Sequence, residues 1–506
     1  MAKRRSERRS DLNSCISVYK AALLVLLRAI VALHCVSLMA AATGAAPQGA
    51  APGPLGAVQL APCALANVAQ PARCGALDVP ENPDQPGGRQ IRISVAVIPA
   101  VGGHGLPDPI VVLMGGPGED AISAAAEYAN HFAPLRGERD LLLIDQRGTG
   151  QSGALRCALY SPEDAAASLR DLFPLAAVQR CERRLSARTD LTQYTYVHFA
   201  RDLERVRRAL GYGPLNLFAG SYGTRAAQVY VRAYPQSVRT LYLGSVVPID
   251  VATPLQFAKT AQTALDGLFA ACAADSACEG AFPNLRAEFH EVVARLNSGT
   301  VRVLLPGGAA TVPLYRGRVA EWFRAKLYRP NSAVMLPWMI HRAYSGDWSP
   351  IVAGILADAS SLESDLSVGL FFSITCNEDV AFVNEADVGP AIQGTFLGDY
   401  RLRQQQAACK DWPKVTLPEN YRTPVRSSVP ALFVTGDADG GTPLWFTAHV
   451  AQGFSNSVSV VARGQGHTEW NSCVARLYQR LVQSAAVLGL GASSCRPVPR
   501  PPFKTQ

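Results

Sequence analysis

Leu215-Asn216-Leu217-Phe218-Ala219-Gly220-Ser221-Tyr222-Gly223-Thr224 decides how the chain folds. An apolar run ends at a serine set between small residues. A helical pattern from Arg225 to Tyr234 follows at once and stops at Pro235. Strand, tight turn and helix form the setting of a nucleophile elbow, where a strained backbone lifts a serine hydroxyl clear of a sheet. Bulk two residues before or after the serine collides across such a turn, so Ala219 and Gly223 fit. The helix that begins here aims its free N–H groups and positive dipole end at the same point. The pattern also suits an ordinary Gly/Ser turn between a buried strand and its helix, so the remaining chain must discriminate.

On either side of this stretch, continuous apolar runs alternate with helical patterns. Ile91–Ile98 reads as an alternating strand closed by Pro99. Pro109–Met114 and Asp140–Ile144 read as buried strands, each followed by a glycine-rich loop: Gly115-Gly116-Pro117-Gly118 and Asp145-Gln146-Arg147-Gly148-Thr149-Gly150-Gln151-Ser152. Phe199–Leu210 predicts a helix, and Val238–Val247, Val429–Thr435 and Val458–Val461 predict further strands. This alternation indicates a mostly parallel central sheet with helices on both faces, an α/β fold. From about residue 251 the texture turns helical, with Leu255–Ala274, Leu285–Leu296, Val319–Leu327 and Ala333–Tyr344, plus a hairpin around Pro306-Gly307-Gly308. The expected organisation is a core over 47–250, an inserted, mainly helical cap over 251–413, and the rest of the core over 414–506.

Residues 1–46 read as a secretory signal and flexible lead-in. A basic front precedes an apolar stretch over 21–42, with small-residue cleavage sites ending near Ala42 or Ala46. The rival, an uncleaved anchor helix, is disfavoured because Arg28 shortens the apolar run below the ~20 residues a span needs. The formal net charge is +8, but the surplus of basic residues up to Arg28 supplies most of it. No basic stripe with interleaved aromatics marks a nucleic-acid surface. Past the leader, ten cysteines fall into neighbouring pairs. An exported chain of this kind predicts the disulfides Cys63–Cys74, Cys157–Cys181, Cys272–Cys278, Cys376–Cys409 and Cys473–Cys495. No Cys/His cluster has zinc-ligand spacing, and no metal or cofactor is expected.

A serine hydroxyl needs a base, the base needs an orienting carboxylate, and the developing oxyanion needs donors. In an elbow architecture the partners follow in the order Ser, Asp, His. His131, His290, His341 and His449 sit in helical patterns, His34 lies in the leader, and His104 and His198 precede the serine. His467 alone lies in a loop, after the aspartates and beside glycines. Asp439, beyond the end of the Val429–Thr435 strand, is preferred over Asp437 as the carboxylate, with Asp437 a turn-former. The oxyanion hole is expected from the N–H of Tyr222 and one from the Gly115–Gly118 loop, at Gly116.

Met114-Gly115-Gly116-Pro117-Gly118, Asp145–Ser152, Gly220-Ser221-Tyr222-Gly223-Thr224, Gly436-x-x-Asp439-x-x-Thr442-Pro443 and Gly466-His467 together resemble the proline iminopeptidase and tripeptidyl aminopeptidase family of α/β-hydrolases. Thr375-Cys376-Asn377-Glu378-Asp379 and Cys409-Lys410-Asp411-Trp412-Pro413 are similar to cysteine-bearing segments of its exported tripeptidyl branch. The likeness runs from about Cys63 to Cys495. Met114 stands where proline iminopeptidases have histidine, and Ala219 where they have glycine. The resemblance implies an α/β-hydrolase with a helical cap that removes residues from free peptide N-termini. Reading an α-ammonium calls for carboxylates near the serine, and Glu378, Asp379, Glu119 and Asp120 are the candidates. A carboxylesterase acting on small esters with the same triad, and a non-catalytic binding protein on this fold, are the alternatives.

Overall fold

The structure, a computed structural model, describes residues 58–160, 164–308, 310–468, 470–490 and 495–506. The leader and its cleavage sites lie outside these residues. The strands are β1 Ala61–Cys63, β2 Ala72–Pro80, β3 Gln90–Ile98, β4 Leu106–Leu113, β5 Arg139–Ile144, β6 Leu215–Gly220, β7 Val238–Gly244, β8 Arg302–Leu304, β9 Thr311–Pro313, β10 Ala431–Gly436 and β11 Ser457–Ala462. Nine of them form one sheet in the order β1-β2-β3-β5-β4-β6-β7-β10-β11. The β1/β2, β2/β3 and β3/β5 pairs are antiparallel, and every pair from β5/β4 onward is parallel.

Alternate residues along the central strands enter different cores, which is why these strands read as unbroken apolar runs. Val111 and Leu113 of β4 and Leu142 and Ile144 of β5 face one hydrophobic cluster. Ile110, Val112, Leu141 and Leu143 face the other. The first is covered by the helices Tyr196–Ala209 and Gly223–Ala233. The second is covered by Ala125–His131 and Ser472–Ser484.

A third cluster is built from the helices between Phe257 and Ile355, with Leu169, Phe396 and Leu397. The β8/β9 hairpin joins it through Val303. The segment expected as one cap over 251–413 therefore divides between two cores. Helix Val368–Glu378 is buried along its whole length and packs, with Cys409 and Trp412, in the same cluster as the sheet. A helix buried on every side belongs to an interior rather than a solvent-facing cap. Conversely, the short helix Ala165–Arg170, upstream of the expected cap, contributes Leu169 to the cap cluster.

The cysteines pair as neighbours along the chain: Cys63–Cys74, Cys157–Cys181, Cys272–Cys278, Cys376–Cys409 and Cys473–Cys495. Among the described residues, no helix is long and apolar enough to cross a membrane.

Candidate active site

Ser221 follows β6 directly and adopts a φ of 53°, the left-handed region that costs a non-glycine residue about 1–3 kcal/mol. The surroundings enforce it. Its N–H donates to the Gly244 carbonyl at the end of β7, and the helix Gly223–Ala233 starts two residues later. A Cβ on Gly223 would lie 2.1 Å from the Leu113 carbonyl oxygen, so only glycine lets the elbow pass beneath β4.

His467 hangs in the loop after β11, and its Nε2 is 2.9 Å from Ser221 Oγ. Its Nδ1 is 2.9 Å from Oδ2 and 3.1 Å from Oδ1 of Asp439, which follows β10. Asp439, not Asp437, occupies this place; Asp437 is exposed and accepts the Gly464 N–H. Asp439 is 7% exposed and richly bonded. Oδ1 accepts the N–H groups of Gly441 and Thr442, and Oδ2 accepts the hydroxyls of Thr442 and Ser245. Burial alone would raise its carboxyl pKa, but the adjacent His467 and the Thr442 bonds outweigh it and hold the group below the usual carboxylate range. Ser245 also receives the Thr468 N–H, so one hydroxyl ties the ends of β7, the Asp439 loop and the His467 loop together.

The Gly115–Gly118 loop lies beside the serine. A Cβ on Gly115 would sit 3.1 Å from Ser221 Cβ. Gly116 has a φ of 102° and lines the same cavity as Ser221 and Tyr222. Beneath the site, buried Asp145 accepts the N–H groups of Ala121, Ile122 and Gln151. Arg147 pairs through two nitrogens with Asp202 and donates to the Glu81 and Gln193 carbonyls. The Asp145–Ser152 block thus knits loops together under the serine.

The cavity over Ser221 and His467 measures about 440 Å³, and Arg324, Tyr328, Asp358 and Asp365 form part of its cap side. Three of the four acids expected to meet a substrate amine are absent from its wall. Glu378 accepts the Tyr196 N–H and the Tyr421 hydroxyl in the interior, and burial pushes its carboxyl up to about 7. Asp379 is spent on Arg225, the Thr253 N–H and the Tyr222 hydroxyl. Both continue a fully buried helix and are held inside with it. Asp120 accepts the Ser123 N–H at the next turn. Glu119 does line the cavity, and its Oε2 accepts the Gly115 N–H at 3.2 Å. Burial raises its carboxyl against the lowering effect of that bond and of nearby His467 and Arg329. Asp358 and Asp365 escaped the sequence reading. With Leu362 they stand at i, i+4 and i+7 of the helix Ser349–Asp365, the spacing of a single helix face. A second cavity of about 880 Å³ lies beyond the Asp439 loop, against Asp437, Leu444 and Trp445, and includes neither Ser221 nor His467.

A strained serine after a buried parallel strand, within hydrogen-bond reach of a carboxylate-backed histidine, is the arrangement of a serine hydrolase. The chain has the α/β-hydrolase fold: residues 108–278 match the family model described as the alpha/beta hydrolase fold, and residues 394–491 match that of TAP-like proteins. It is similar to the serine protease Hip1 of Mycobacterium tuberculosis, 30% identical over 262 residues, which are 47% of this chain and 49% of that protein. The tripeptidyl aminopeptidase of Streptomyces lividans is 24% identical over 430 residues, covering 79% and 78%. Carboxylesterase B of Mycobacterium tuberculosis is 31% identical over 224 residues, covering 41% and 43%. The chain spans about half the length of the first curated relatives it matches.

Proposed function

We propose that this protein is an exported serine aminopeptidase that releases residues or short peptides from free peptide N-termini through an acyl-enzyme. One observation carries the reading: the hydrogen-bonded path from Ser221 through His467 to Asp439 opens onto a cavity that also presents Glu119, Asp358 and Asp365.

Ser221 Oγ attacks the scissile carbonyl and passes its proton to His467 Nε2. Asp439 keeps Nδ1 protonated and stabilises the imidazolium. The N–H groups of Tyr222 and Gly116 receive the oxyanion, aided by the N-terminus of helix Gly223–Ala233. His467 returns the proton to the leaving amine, and a water then enters by the same base to release the acyl group. Glu119 and Asp365 supply the negative field that holds the substrate's α-ammonium, beside Asp358, whose carboxylate is already paired with Lys326 at 2.8 Å. Five disulfides suit an oxidising compartment and support export. The relatives named for tripeptidyl aminopeptidase and serine protease activity favour peptide over ester.

The test is turnover of matched free and N-acetylated peptide amides beside a short-chain aryl ester, with Ser221→Ala as control. Preference for the free amine is expected, and Ser221→Ala is expected to be folded, inactive and unlabelled by a fluorophosphonate. Ester turnover with no peptide cleavage makes the protein a carboxylesterase. Hydrolysis surviving in Ser221→Ala removes the serine from the mechanism, and wild-type protein that neither turns over nor labels is a binding module.

A further inference from the structure

We propose that the cavity over Ser221 contains a carboxylate-binding subsite at Arg401, so that the favoured substrate carries an anionic group as well as a free amine. This rests on the aminopeptidase reading above.

The subsite is built from two guanidinium groups sharing one carboxylate. Arg324 spends all three nitrogens: Nε and Nη2 bind Glu321 at 2.8 and 2.7 Å, and Nη1 donates to the Tyr328 hydroxyl at 2.7 Å. Arg401 reaches the same Glu321 oxygen through Nη1 at 2.6 Å and Gln405 through Nε at 3.3 Å. Its Nη2 makes no hydrogen bond among the described residues, while Arg401 itself lines the cavity. The two cations hold Glu321 ionised, at about 2, so it offsets only one of them. A positive charge with an uncommitted donor is left on the wall.

Other buried arginines show how purely structural ones are treated. Arg147 and Arg225 each have a carboxylate and further carbonyl acceptors, and neither lines this cavity. Arg401 is different. Its side chain is 12% exposed, and its guanidinium carbon lies 5.4 Å from the Phe173 ring centre and 5.2 Å from that of Phe257. Aromatic walls hold the planar fork in place and exclude water, which strengthens a charge-assisted bond to an incoming carboxylate. Asp365 comes from a different helix and lines the same cavity, so the cavity offers both signs of charge to one zwitterionic ligand.

The carboxylate has two possible sources, an acidic side chain or the C-terminus of a short peptide, and the experiment separates them. Wild type, Arg401→Gln and Arg401→Lys are assayed on three substrate pairs. One pair holds C-terminally amidated peptides differing only in glutamate or glutamine. The next holds peptides of neutral side chains ending in acid or amide. The last pairs a neutral aryl butyrate with the aryl hemisuccinate. In wild type, kcat/KM for the anionic member is expected to exceed its partner's by at least about tenfold in one peptide pair, and that pair names the source. The ratio should fall below about threefold in Arg401→Gln and recover in part in Arg401→Lys, a pattern that mere loss of cap stability does not produce. Absence of any anionic preference in wild type overturns the subsite, as does a preference that persists in Arg401→Gln. If only esters turn over, the aminopeptidase reading fails, and the hemisuccinate pair still decides the subsite.

Discussion

The backbone N–H of His467 donates to the carbonyl of Tyr328 at 2.8 Å, so the loop that carries the histidine is hung from the cap. The Tyr328 ring meets the imidazole edge-on, 4.9 Å between centres. Cap and core are thereby coupled at the very residue that must sit within bonding distance of Ser221.

Gly466→Ala tests this coupling. A Cβ there would lie 2.4 Å from the Tyr328 oxygen and 2.7 Å from Pro330, so the His467 loop must move. A displacement of about an ångström at a catalytic base lowers turnover by roughly a hundredfold. We expect kcat to fall by that order with a smaller change in KM, measured on whichever substrate the wild type turns over. Tyr328→Phe, which keeps the carbonyl and the ring, should retain most of kcat. Equal kcat in Gly466→Ala and wild type would show that the suspension does not position the histidine.

The hydroxyl of Thr442 donates to Asp439 Oδ2 at 2.7 Å and lies 3.3 Å from His467 Nδ1. Thr442→Val keeps the shape and the backbone N–H but deletes that donor. A hydrogen bond to a charged group contributes about 1.5–3 kcal/mol, so kcat is expected to drop at least about tenfold. Thr442→Ser should restore it. A Thr442→Val enzyme with unchanged kcat would show the carboxylate sufficiently held by its other donors.

Much of this site is legible in the chain because elbow chemistry leaves marks at fixed offsets. Small residues flank Ser221, an aspartate follows a buried strand, and glycines precede His467. The strands β4, β5, β6 and β10 are legible for the same kind of reason, since burial on both faces demands unbroken apolar runs. The acids were harder. Glu378 and Asp379 follow the expected cap helices in sequence, but what decides their place is that Val368–Glu378 is buried on every side, its polar Ser373, Thr375, Asn377 and Glu378 included. The periodicity of Asp358, Leu362 and Asp365 carried a usable signal, yet only packing reveals which face of that helix meets the cavity. β2 hides for a different reason: its alternation is weak, and pairing with β3 rather than its own composition holds it in the sheet.

Gly223→Ala should fail at folding rather than at chemistry. The added methyl would press on the Leu113 carbonyl at the heart of the sheet, where neither backbone can yield. Overpacking in a rigid core costs about 1–3 kcal/mol, and backbone against backbone belongs at the upper end. We expect a clear loss of soluble yield and a lowered denaturation midpoint. A variant as stable as wild type would mean that the elbow relaxes in a way the strand register does not suggest.

Glu378 makes stability depend on pH in a direction opposite to most carboxylates. Burial pushes its carboxyl up to about 7, although Tyr421, the Tyr196 N–H and Arg225 favour the charged form. The folded state therefore prefers the neutral acid. Its stabilising contribution is complete below the ordinary carboxylate value near 4.5 and is lost as pH rises through about 7. Over that window the loss amounts to about 3 kcal/mol. Glu378→Gln removes the titration while keeping a polar pair for Tyr196 and Tyr421: the amide oxygen accepts the N–H, and its NH2 donates to the phenol oxygen. Denaturant melts of both proteins from pH 4.5 to 8 should start close together and diverge, with the glutamine variant the more stable at the alkaline end. Parallel curves would mean that Glu378 is ionised in the fold throughout, held by Arg225 and its two donors rather than neutralised by burial.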